Sequence, residues 1–189
     1  MNKRVFGPGL ALLISLFLSA CSLLPLGSES ETPSPAVASP APARATIHGR
    51  VWQDRCGLAD GTLGPNCVPL SDGRYRADGV IQSNEPGLGG VTVALGPSCP
   101  AAPIIRAVTA ADGSFTFEGL PAGLYCLTID PGLPGNEMVA AGHWTSPLVD
   151  AAGASASLLV SVTDGEIKSG IGFGRDATWG MAQPTATPT

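Results

Sequence analysis

Apolar and polar residues alternate with a period of two over several short stretches of this chain. Ile47, Gly49 and Val51 alternate with Thr46, His48 and Arg50, Val91, Val93 and Leu95 with Thr92 and Ala94, and Phe115 and Phe117 with Ser114, Thr116 and Glu118. Tyr125, Leu127 and Ile129 share one face of a further stretch, as do Leu158, Val160 and Val162, then Ile167, Ile171 and Phe173. Period-two patterning bounded by Gly, Pro, Asn and Asp predicts half-buried antiparallel strands. Ile104 to Thr109, followed by Ala-Ala-Asp112-Gly113 and then SFTF, predicts a hairpin, because Asp-Gly supplies the positive φ of a tight turn. The pattern gives about seven strands and no amphipathic helix, and two facing sheets are the usual way to bury one-sided strands. The expectation is an all-β sandwich over residues 46–176.

The ends read differently. Lys3 and Arg4 precede an apolar run from Val5 to Ala20, short of the roughly 20 residues a membrane-spanning helix needs. That is the form of an export signal over residues 1–20. Its end, Leu18-Ser19-Ala20-Cys21, resembles the bacterial lipoprotein lipobox. The resemblance implies that Cys21 is acylated and becomes the first mature residue, with membrane lipid as its partner. Each buried acyl CH₂ contributes ~0.8 kcal/mol, so a multiply acylated end anchors stably. Residues 21–45 are dense in Pro, Ser and Ala without apolar periodicity and predict a disordered tether. Residues 177–189, ending in QPTATPT, predict a second frayed tail, with Trp179 free to pack back on the domain.

Composition supports this division. Gly (25) and Pro (18) make 43 of 189 residues, which argues against one continuous compact body. The formal charge is −5; without Lys3 and Arg4, 8 basic face 15 acidic residues, or −7. That sign is wrong for a phosphate-binding surface, so nucleic acid is excluded as a partner class.

Several segments carry a resemblance. Gly49-Arg50-Val51-Trp52-Gln53-Asp54, then NEPGLGGVTV from Asn84 to Val93, then DGSFTFEGLPAGLY from Asp112 to Tyr125, and Gly172-Phe173-Gly174 resemble the B-type repeat of serine-aspartate surface adhesins. That family is a prealbumin-like (Ig-like) β-sandwich of about seven antiparallel strands, related to collagen-adhesin B-type domains. The resemblance implies a structural or adhesive module at the cell surface rather than an enzyme. Collagen-adhesin relatives often carry a first-strand lysine that forms an isopeptide with an Asn. Here Lys168 is the one lysine left after cleavage, with His48 and Arg50 in the first strand, so no isopeptide is expected.

The adhesin repeats bind calcium through an acidic loop after the first strand. By the resemblance, Asp54 stands at its first position, Asp78-Gly79 at its middle and Glu85 at its end, with about twenty residues inserted after Asp54 and Gln82 where an aspartate is usual. Calcium takes hard oxygen ligands, and a solvated acidic loop is the plainer alternative. With Cys21 acylated, four cysteines remain, an even number suited to an oxidising compartment. Of the three pairings, Cys56–Cys67, flanking a Gly-rich loop, with Cys99–Cys126 is favoured. Their loops of 12 and 28 residues would contribute roughly 3 and 3.5 kcal/mol in the chain-entropy model. Zinc is the rival, but no CxxC occurs and only His48 and His143 could complete a site.

Catalysis has little support. His143, Ser146 and Asp150 form a triad on paper, without the Gly-x-Ser-x-Gly elbow. The long segment from Pro131 to Ser157 is of the kind that often carries function, and Trp144 within it offers a stacking face for a glycan or peptide, or else plugs the open edge of the sandwich. The two function classes that remain are a lipid-anchored structural or adhesive surface module and a carbohydrate- or small-ligand-binding lipoprotein, both extracytoplasmic.

Overall fold

The computed structural model describes residues 41–58, 62–99 and 103–182; the export signal, Cys21, most of the tether and residues 183–189 lie outside that set. The seven stretches read from the sequence form β1 (Ala45–Gln53), β4 (Thr92–Gly96), β5 (Ile105–Val108), β6 (Ser114–Leu120), β7 (Gly123–Ile129), β10 (Ala156–Val162) and β11 (Ile167–Asp176). Five shorter strands join them: β2 (Cys67–Pro69), β3 (Arg74–Ala77), β8 (His143–Ser146), β9 (Leu148–Val149) and β12 (Met181–Ala182). One sheet has the order β6-β1-β11-β8-β9, a second β10-β7-β4-β5, and a small third β12-β3-β2.

The two larger sheets pack face to face as an Ig-like sandwich. Ala45, Ile47, Val51, Phe115, Phe117 and Phe173 of the first sheet meet Val93, Leu95, Leu127, Ile129, Val160 and Val162 of the second in one buried cluster. Each is a pleat position of the period-two pattern, so burying that pattern on one side dictates which residues meet. Gly49 also faces inward, opposite Phe115 in the β1/β6 register, and the Phe115 ring occupies the space where a side chain at Gly49 would stand. Small residue and large ring fill one slot between them.

Three expectations are corrected. The Asp112-Gly113 turn forms, with Gly113 at φ 81°, but the strands it joins do not pair: β5 pairs with β4 and β6 with β1. The turn is a corner between sheets, because Ala107 and Phe115 both pack on the one core from opposite sides. The pairing of β1 with β11 is parallel, whereas the alternation predicted antiparallel neighbours throughout. Alternation is the same in either case, and only chain connectivity distinguishes them. Ile167 is 71% exposed, so the inward face of β11 begins at Ile171.

Residues 177–182, expected within the tail, pack on the domain. Met181 and Ala182 pair with Tyr75 and Arg74 of β3, and Trp179 stacks on His143 with ring centroids 4.4 Å apart.

Candidate site at the Asp54 pole

Asp54 is the first residue beyond β1, where the chain leaves the core. Its backbone N–H is held by the Arg175 carbonyl at 2.9 Å, and its side chain is fully buried. One carboxylate oxygen, Oδ2, accepts from the Gly79 amide at 2.8 Å and from the Thr145 hydroxyl at 2.5 Å. The other, Oδ1, is buried with no hydrogen-bond partner. Gly79 has φ +83°, and a side chain there would strike the Thr145 carbonyl, so glycine is required for the amide to reach Asp54.

Glu85 lies against this carboxylate and is 4% exposed. Its Oε1 accepts from the Arg55 amide at 2.9 Å and its Oε2 from the Gln82 amide at 2.8 Å. Gln82 turns its side-chain NH₂ to both oxygens of Asp78 at 3.2 Å, which leaves its Oε1 buried without a donor. Asp78 itself also accepts from the Val80 amide at 2.9 Å. Burial pushes the Asp54 carboxyl up to about 7, against the lowering effect of its bonds to Thr145 and Gly79, and Glu85 helps twice: it can accept a hydrogen bond from the protonated Asp54, and its charge opposes a second one. Two carboxylates pressed together out of water resist ionising together.

The three acidic residues expected to act together therefore divide. Asp54 and Glu85 face each other directly, while Asp78 is set apart by the Gln82 amide. Among the described residues no three His, Cys, Asp or Glu side chains converge closely enough to hold a metal ion on their own. The hard donors in this loop are Asp54 Oδ1, Glu85, whose two oxygens already accept backbone amides, and the side-chain oxygen of Gln82, on the amide turned to Asp78. These are hard oxygens, two of them lacking any donor, and that composition fits calcium with water completing its shell. Thr145, 91 residues from Asp54, has no local signal in the sequence and enters the site only because β8 pairs with β11.

Trp144 does not serve as a surface contact. It is 2% exposed, its ring meets Phe173 edge-on at 6.1 Å, and its Nε1 donates to the Ala154 carbonyl at 2.8 Å. The residue plugs the sandwich, since a side chain this large lowers the free energy most when wholly buried. Among the described residues His143 makes no hydrogen bond to Ser146 or Asp150, and its ring stacks on Trp179 instead.

Cys56 is bonded to Cys67 and Cys99 to Cys126. Two disulfides in one folded body are the mark of an oxidising compartment outside the cytoplasm. Among the described residues no helix is long and apolar enough to cross a membrane.

No family profile matches the chain, and no curated protein does. Among solved structures, a DUF3823 family protein from Parabacteroides merdae is similar at 14% identity and a TM-score of 0.33, over 71% of this chain and 47% of its own, so this chain spans about half of that protein. A candidate carbohydrate-binding protein from Pseudomonas aeruginosa is similar at 13% identity and a TM-score of 0.34, over 73% of this chain and 92% of its own. Both scores lie below 0.5, too low for either likeness to carry a function over to this chain.

Proposed function

We propose that the protein is a presentation module of the cell surface, anchored through acylated Cys21, whose β-sandwich is stiffened at the Asp54 pole by a calcium ion. The observation that carries this reading is Asp54 Oδ1, a buried carboxylate oxygen that no donor reaches, set against the buried carboxyl of Glu85. A buried acceptor without a donor costs on the order of 1–3 kcal/mol, and more when charged. A divalent cation held by Asp54, Glu85 and Gln82 removes that cost and the repulsion between the carboxylates. The module performs no catalysis in this reading; its work is to hold loops away from the membrane on a rigid support.

Thermal melting of the chelator-stripped chain, with and without calcium, tests the reading. At 100 times its dissociation constant the ion stabilises the fold by about 2.7 kcal/mol, and coincident melts would remove calcium from the account. For the anchor, a Cys21→Ser variant moves from the detergent to the aqueous phase on partitioning; unchanged partitioning argues against acylation.

A carbohydrate-binding role is a second reading, favoured by one feature. On the outer face of the second sheet, Thr128, Ser155 and Ser157 line a cleft of about 200 Å³ with Arg106 and Asp130 at its rim. Hydroxyls flanked by one cation and one anion suit a sugar ring. A glycan array probed with the wild type and with Arg106→Ala separates this role from a purely structural one.

A further inference from the structure

The segment between Asp54 and Asp78 is tied into the pole by a covalent and hydrogen-bonded circuit. Two residues beyond Asp54, Cys56 is bridged to Cys67, the first residue of β2. Cys67 is the cross-strand partner of Ala77, the last residue of β3. Ala77 donates its N–H to Oδ2 of the fully buried Asp176 at 2.8 Å. The chain then passes through Asp78 to Gly79, whose N–H returns to Asp54 Oδ2 at 2.8 Å. Arg55, inside the same circuit, supplies the amide that fixes Glu85 Oε1.

We infer that the Cys56–Cys67 disulfide is the positioning element of the cation site, so that its reduction lowers the affinity for calcium. The inference rests on the calcium reading above. β2 and β3 pair over three positions only, and β12 adds two more. Hydrogen bonds over so short a ladder leave the hairpin able to shift against β1, and the bridge is the one covalent bond that prevents it. When it opens, Arg55 and Gly79 lose their fixed distance, and with them the orientation of Glu85 and Asp54. Loss of supporting contacts around metal ligands typically costs about 10- to 100-fold in affinity.

Access follows the same route. A cleft of about 440 Å³ has both Cys56 and Glu85 in its wall, with Arg55 and Asn84 beside them, so the bridge and a ligand carboxylate border one space. In the redox step a thiolate of a dithiol reductant attacks one sulfur, and the Cys56–Cys67 bond breaks as a mixed disulfide forms. The second thiol then displaces it. Two electrons and two protons pass from the dithiol, which leaves as its own disulfide, and Cys56 and Cys67 remain as thiols.

Linkage makes the effect measurable without a variant, because calcium must resist reduction by the same factor that the bridge raises calcium affinity. The full mature chain is equilibrated in mixtures of reduced and oxidised dithiothreitol, with and without saturating calcium, and each cysteine is quantified by alkylation and mass spectrometry. A tenfold coupling lowers the Cys56–Cys67 midpoint by about 30 mV, while Cys99–Cys126, in the second sheet, does not move. Equal midpoints with and without calcium overturn the inference, as does an equal shift of both bridges, which would report general stabilisation. Calorimetric titration of the oxidised chain distinguishes the two failures: no calcium binding there overturns the cation reading itself. Cys56→Ser/Cys67→Ser should bind calcium at least tenfold more weakly and Cys99→Ser/Cys126→Ser should not; should the first pair fail to fold, the midpoints of the native chain still decide.

Discussion

The two ends of strand β1 solve burial in opposite ways. At its start Ala45 and Ile47 are fully buried among apolar neighbours, and nothing further is needed, because each removes apolar surface from water and leaves no group unpaired. Just past its end Asp54 is buried to the same degree, but with an oxygen that no donor reaches and a second carboxylate against it. Equal burial thus stabilises at one end and costs at the other. The core is self-sufficient, whereas the pole holds two carboxyls that resist ionising together.

The largest effect belongs to the core. Phe173 is fully buried and packs on Phe115 and Trp144, so Phe173→Ala should cost about 3–5 kcal/mol in chemical denaturation. The calcium increment should survive that loss, and its disappearance would mean that the pole depends on core packing. Next comes Asp54→Asn, which keeps the shape and removes the charge. The ~2.7 kcal/mol gained at 100 times the dissociation constant should vanish, with stability in chelator at pH 8 unchanged or higher; a retained increment places the ion elsewhere.

A smaller effect is the pH dependence of the cation-free protein. Between 3.8 and about 7 folded Asp54 holds a proton that the unfolded chain has released, so its contribution is complete below 3.8 and fades as pH rises through about 7. Exposed carboxyls run the other way: a hydrogen bond from Ser114 holds Asp112 below its ordinary value, and backbone bonds from Thr163 do the same for Glu166. Subtracting the Asp54→Asn stability curve isolates the Asp54 contribution, which should fall with rising pH; a flat difference contradicts a raised carboxyl. The smallest effect is at Arg74, whose ion pair with Asp72 is exposed on both sides. Arg74→Ala should leave the melting temperature unmoved, since screened surface pairs contribute little.

Legibility in the sequence followed the same division. The core strands were readable because alternation and burial are the same fact seen twice: Ile47, Val93, Leu127 and Phe173 are inward in the pattern and inward in the fold. The disulfide pairing was readable from which strands and loops the cysteines flank. The corner at Asp112-Gly113 and the parallel β1/β11 pair were not, because turn chemistry and period-two patterning do not say which sheet a strand enters. At the pole, Asp54 and Glu85 were singled out only by the resemblance to the calcium loop of the adhesin repeats, and the Asp78 named with them is set apart in the fold. Gln82 read as a departure from the adhesin pattern, yet it contributes an unpartnered oxygen, and Thr145 could be found only through the β8/β11 register.

The most direct test of the pole as the cation site is a calcium titration followed by amide NMR. The amides of Arg55, Gly79 and Gln82, which donate to Glu85 and Asp54, should shift together and saturate with one dissociation constant, while core amides such as those of Val93 and Leu127 stay in place. Shifts scattered over other acidic loops, or none at these three amides, would contradict the account.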